Sequence, residues 1–81
     1  MNAFDCLNRL KWTNKLHQCT IEIIHRGAEN NILKIKGTAV TEVKKTYFMY
    51  KSGPEEIFIP NHRILRITIK DKILYEKATK R

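Results

Sequence analysis

Two cysteines, three glycines and two prolines in 81 residues leave several protein classes without their raw material. The two thiols, Cys6 and Cys19, cannot make a disulfide scaffold. Both sit in apolar surroundings and are expected to be reduced and buried. The isolated glycines form neither a G-x-x-x-x-G-K nor a G-x-G-x-x-G run, so no phosphate-cradling loop is present. Apolar runs such as Ile57-Phe58-Ile59 stop after a few residues, whereas a bilayer helix needs about 20. The amino terminus, M-N-A-F-D-C, lacks a charged n-region and an apolar h-region, so the expectation is a cytoplasmic protein with no membrane partner. Soft metal ligands are few: Cys6, His17, Cys19, His25 and His62. No C-x-x-C or H-E-x-x-H spacing exists. His17 and Cys19 would share a strand face, but a closed zinc site needs four ligands, so neither metal nor cofactor is expected. No serine elbow or Cys/His signature marks a catalytic nucleophile.

Acidic residues are the other scarce class. Eight Asp+Glu face sixteen Lys+Arg, a formal charge of +8. The surplus is not one detachable run: residues 1–40 carry six basic and three acidic side chains, and residues 41–81 carry ten and five. A small domain this basic calls for an anionic partner, nucleic acid first, or else carries a lysine-rich solvating surface. The length allows one domain, 1–81, with Lys77 to Arg81 as a frayed basic tail. Hydrophobic residues at 42% are enough to fold it.

The densest apolar signal lies between Ile57 and Ile69. From Arg63 onward the residues alternate: Arg63, Leu65, Ile67 and Ile69 share one parity, and Ile64, Arg66, Thr68 and Lys70 the other. That period of two is a strand. Pro60 cannot donate to a ladder, so the strand is expected to begin near His62 or Arg63, with His62 and Arg66 on one side. Upstream, Asn2 caps a short helix to Lys11, with Phe4, Leu7 and Leu10 as its apolar stripe. Trp12 should pack the helix end onto the core. Strands follow at Cys19 to Arg26, Ile32 to Lys36, Thr46 to Lys51, Ile57 to Ile59, Arg63 to Lys70 and Ile73 to Glu76. Asn30-Asn31 can take positive φ in the first loop. Thr38 to Lys44 suits either a helical turn or a strand, and the 3-residue spacing of Val40 and Val43 favours the turn. The sum is α+β: an N-terminal helix on a small, strongly bent antiparallel sheet or barrel of about five to six strands.

The chemistry left to such a chain is anion binding. Arg26 precedes Gly27 and Lys36 precedes Gly37, each a cation at a strand end followed by a residue that admits close backbone approach. His62 and Arg63 stand at the entrance of the long strand and Arg66 along it. An Arg fork, a Lys point charge and an orienting His form the mixture a phosphate wants. Tyr47, Phe48 or Tyr50 could stack a terminal base, and Trp12 could do so as well; each is otherwise core.

The set Arg26-Gly27, Ile35-Lys36-Gly37 and Ile59-Pro60-x-His62-Arg63-Ile64-Leu65-Arg66-Ile67, after Leu7-Asn8-Arg9-Leu10-Lys11-Trp12, resembles a small archaeal and eukaryotic family, the RNA cyclic group end recognition domain. The likeness runs from about Leu7 to about Glu76. It implies binding of RNA 3′ ends that carry a 2′,3′-cyclic phosphate, beside an RNA-processing or repair enzyme. His25 stands where many members have Asp, and Asn61 where an aromatic or aliphatic residue is common; the second matters little if that side chain faces solvent. Three readings follow. In the favoured one the chain is an RNA-end reader without chemistry, using Arg26, Lys36, His62, Arg63 and Arg66. In the second it is a phosphoesterase that opens the cyclic group with His62 as acid or base. In the third it is a generic nucleic-acid or protein adaptor.

Overall fold

The computed structural model describes residues 2–27 and 29–77. One helix, α1 (Ala3–Trp12), is followed by seven strands: β1 (Cys19–Ile24), β2 (Ile32–Lys36), β3 (Val40–Val43), β4 (Tyr47–Ser52), β5 (Glu55–Pro60), β6 (Ile64–Ile69) and β7 (Lys72–Glu76). The fold is α+β, as the periodicities require. The strands form two antiparallel sheets rather than a closed barrel: four strands in the order β2-β1-β6-β7 and three in the order β3-β4-β5.

Local chemistry sets the ends of α1. Asn2 Oδ1 accepts from the Asp5 N–H at 2.7 Å, which places a side-chain cap and an acid in the first turn. At the far end Asn14 takes φ 60°, Lys15 N–H donates to Leu10 O at 2.8 Å and Asn14 N–H to Lys11 O at 3.3 Å. That pair of bonds is a Schellman stop, with Asn in the left-handed position. Cys6, Leu7 and Leu10 face the sheet and join Cys19, Ile21, Ile23, Ile35, Ile64 and Ile67 in the core. Phe48 and Ile59 bring the three-stranded sheet into the same core. Ten residues of helix could not hold together alone in water; docking this stripe supplies the stability.

The first hairpin, β1–β2, and the last, β6–β7, pair through β1 and β6, and β3–β5 is inserted between them. Two single 3-10 turns carry the chain between sheets: Gly37–Ala39 from β2 to β3, and Asn61–Arg63 from β5 to β6. Their flanking backbones are nearly superposable, with φ/ψ of −75/139 at Lys36 and −62/138 at Pro60 entering, and −70/125 at Val40 and −71/124 at Ile64 leaving.

Several expectations change here. Residues 38–44 are one turn and then a strand, because Val40, Glu42 and Val43 find ladder partners in Tyr50, Met49 and Phe48. β1 stops at Ile24, since Gly27 at φ 94° turns the chain. The alternation of the long strand starts at Ile64, not at His62. Ile64 pairs with Ile23 and Arg66 with Glu22, so Leu65 is an extra residue in a bulge. That bulge lets Ile64 and Ile67 both be 0% exposed although their parities differ. His17 lies in a 3-10 turn, Leu16–Gln18, and is exposed; it shares no strand face with buried Cys19. Trp12 is 80% exposed and does not seal the helix end. Asn30 and Asn31 do take positive φ. No helix among the described residues is long and apolar enough to cross a membrane.

Candidate nucleic-acid interface

Strand register decides which of the five expected cations meet. Ile64 is opposite Ile23, so Arg63 and His62 leave the sheet at the end where β1 gives way to His25 and Arg26. Arg26, His62 and Arg63 therefore belong to one end of the molecule, and all three are exposed. Lys36 is opposite Thr20, at the start of β1. The strand from Thr20 to Ile24 covers about 13 Å, with Arg26 farther still, so Lys36 lies at the other end of the sheet. Arg66 projects from the outer face of the sheet between two acids. Its Nη1 is 3.2 Å from Glu22 Oε1, and its Nη2 is 3.0 Å from Glu76 Oε2. The bond to Glu76, with Glu22 beside it, pushes the guanidinium pKa further up. Both carboxylates already take the fork that a phosphate would use. The five residues do not make one pocket.

The glycines have different tasks from those expected. A Cβ on Gly37 would lie 1.8 Å from Leu16 O and 2.8 Å from Cys19 Sγ. The close approach is to the protein's own carbonyl, not to a ligand. A Cβ on Gly27 would meet nothing within 4 Å, and its glycine serves only φ 94°. Burial pushes the Cys19 thiol up to about 11, helped by Cys6; burial also raises Cys6, against the pull of Arg9. Both are free, buried thiols.

His62 borders a cavity of about 340 Å³ between the start of α1, the link from β3 to β4 and the 61–63 corner. Lys45, Thr46, Tyr75, Asn61, the cap Asn2 and the first helical residues, Ala3 and Phe4, complete its wall. In the first turn of α1 the Asp5 N–H is capped by Asn2 and the Cys6 N–H bonds Asn2 O at 3.1 Å. The Ala3 and Phe4 N–H groups precede the intrahelical ladder, and the positive end of the helix dipole opens toward the cavity. Lys77 closes one side of this corner: its Nζ donates to His62 O at 2.7 Å and its N–H to Leu65 O at 2.8 Å. Lys77 is therefore anchored, and the remainder of the expected tail, 78–81, lies outside the described residues.

Asn61 is the residue that sequence reasoning missed. It does not face solvent but is 9% exposed. Its Nδ2 donates to Lys44 O at 3.0 Å and Lys45 O at 3.2 Å, and its N–H donates to Thr46 O at 2.9 Å. It thus clamps the β3–β4 link, which carries Lys45, onto the corner that carries His62. Asn61 borders the cavity, and its Oδ1 is buried without a hydrogen-bond partner among the described residues. An amide side chain directly after Pro60, where the apolar stretch Ile57 to Ile59 ends, was the available signal.

The aromatic residues divide by face. Phe48 is fully buried, with Tyr50 beside it at a ring-centroid distance of 6.4 Å. Tyr47 and the exposed Phe58 lie together on the other face of the three-stranded sheet, their ring centroids 4.7 Å apart and their planes tilted by 34°. Tyr47 pairs with Pro60, one residue from the clamp.

The model of one protein family, the MJ1316 RNA cyclic group end recognition domain, matches residues 1–77. The chain belongs to that family. The family's description assigns it RNA ends as the thing recognised. No curated protein and no solved structure matches the chain.

Proposed function

We propose that this domain binds RNA 3′ ends bearing a 2′,3′-cyclic phosphate and that the terminal group sits in the cavity beside His62. The observation that carries the reading is convergence. The Ala3 and Phe4 end of α1, Lys45, His62 and Tyr75 surround one space, with Arg63 and Arg26 at the same end of the molecule. A cyclic phosphate is a diester with one negative charge and two non-bridging oxygens. A helix amino terminus supplies N–H donors and positive potential to such a group. Lys45 adds a point charge and His62 an orienting donor. The Tyr47–Phe58 pair provides a face for a terminal base. Lys36 and Arg66 are not part of this seat. Binding without turnover is the reading adopted. RNA-processing or repair enzymes are the partners that would use it.

The test is a titration of one short labelled RNA with three 3′ ends: 2′,3′-cyclic phosphate, 3′-phosphate and hydroxyl. RNA is recovered afterwards for end analysis. The expected outcome is preference for the cyclic end, recovered intact. His62→Ala and Lys45→Ala should each weaken that preference about tenfold or more, the loss of one charge-assisted bond, while Lys36→Ala leaves it unchanged. Recovery of an opened phosphate would make the domain an enzyme. Equal affinity for all three ends would discard the seat.

A further inference from the structure

At the opposite end of α1 the surface carries a second concentration of charge. The Schellman stop turns Lys15 back beside Arg9 and Leu10. Across from it, Lys70 and Asp71 take φ 45° and 66°, a mirror-type hairpin turn that brings Lys70 and Lys72 toward the same hollow. The result is a groove of about 350 Å³ with Arg9, Lys15, Lys70 and Lys72 in its wall, Leu10 and Leu74 contributing apolar surface, and no acidic side chain. Asp71, in the same turn, lines only the hollow on the outer face of the sheet, whereas Lys70 stands between the two and borders both. None of the four cations has an ion-pair partner among the described residues. Trp12 stands three residues after Arg9, hence on the adjoining strip of helix surface, and is 80% exposed.

Two features make this more than a solvated surface. Lys70 occupies a left-handed position that favours Asn or Gly, so the cation is kept against the local backbone preference. An indole this exposed beside clustered cations has the composition of a single-strand platform: phosphates on the cations, a base on the aromatic face. The helix separates this groove from the cavity at His62 by about 15 Å.

We propose that the groove is a second RNA contact, which holds the phosphate backbone of the single strand some nucleotides upstream of its 3′ end, with a base stacked on Trp12. The inference takes RNA as ligand from the reading above but does not depend on the terminal seat. The domain would then measure the strand as well as its end, and favour unpaired 3′ overhangs over blunt termini.

Two RNAs with the same cyclic terminus, a dinucleotide and an octanucleotide, test it against the wild-type chain and Lys70→Asn, with Lys72→Gln as a second variant. Asn suits the turn, so Lys70→Asn should fold at least as well as the parent. The octanucleotide should bind the wild type at least tenfold tighter than the dinucleotide and quench the fluorescence of Trp12, the one tryptophan in the chain. Each variant should lose several-fold affinity for the octanucleotide, with a salt slope smaller by about 0.7, and lose nothing for the dinucleotide. Equal affinity for the two RNAs, unchanged octanucleotide binding in both variants, or binding with no change in Trp12 emission would each overturn the groove. If the titration with three 3′ ends shows no preference but octanucleotide binding still depends on Lys70 and Lys72, the terminal seat fails and the groove stands.

Discussion

The two corners that join the sheets have the same backbone and opposite uses. Gly37–Ala39 is a packing joint: its first residue is pressed against the Leu16 carbonyl with no room for a side chain. Asn61–Arg63 is a display joint: its first residue is a buried clamp, and the next two put a histidine and an arginine into solvent. The same φ/ψ path therefore does not imply the same role. What occupies the first position of the turn decides whether the corner holds the fold or carries charge to a ligand. The two corners also mark the two ends of the molecule: the cavity at His62 at one, Lys36 and the Lys70 turn at the other.

Swapping the demands on the two corners should separate them. Gly37→Ala is expected to have the largest effect. Its Cβ would need the Leu16 backbone and the Cys19 sulfur to move, an overpacking cost of about 3 kcal/mol or more. Chemical denaturation should show it; wild-type stability would mean that the joint is compliant. Asn61→Ala should come next, at about 2 kcal/mol, because the Lys44 and Lys45 carbonyls lose their side-chain donor. It should also weaken end recognition by freeing Lys45, whereas Gly27→Ala meets no neighbour and should cost only the strain of φ 94°, about 1–2 kcal/mol, without touching either corner.

Cys19 adds a pH signature to the packing joint. The folded thiol titrates near 11 against an ordinary 9.0, so between these values the unfolded chain is ionised and the folded one is not. Stability is complete below about pH 9 and falls as pH rises toward about 11, by on the order of 2 kcal/mol. Cys19→Ala should be less stable at neutral pH but lack that part of the alkaline decline, as thermal melts across this range would record. The smallest effect belongs to Arg66. Arg66→Met should change stability little, since its pairs with Glu22 and Glu76 are partly or largely exposed, and should leave RNA-end preference intact. A loss of preference in Arg66→Met with the fold intact would return that residue to the site.

Periodicity was enough for the elements that obey one local rule. α1 was legible from Asn2 and its Phe4–Leu7–Leu10 stripe, and the β1–β2 hairpin from its alternation and the Asn30–Asn31 turn. A turn at Thr38 was legible but not its length, and the 61–63 corner was not legible at all, because a single 3-10 turn has no repeating pattern. The Leu65 bulge concealed the true phase of β6 for a related reason: alternation cannot show an extra residue that only its partner strand reveals. Trp12 was misassigned to the core because hydrophobicity states what a side chain tolerates and not whether a neighbour arrives to cover it.

By itself the sequence determined the α+β composition, the excess of positive charge and the residue types available to bind an anion. Those are properties of the chain and survive any arrangement of it. The tertiary structure alone decided which cations are neighbours. Antiparallel register put Arg26 with His62 and Arg63, sent Lys36 to the far end, and gave Arg66 to two glutamates. It decided so because proximity between residues dozens of positions apart depends on strand pairing, and pairing is fixed by the common core rather than by any one segment.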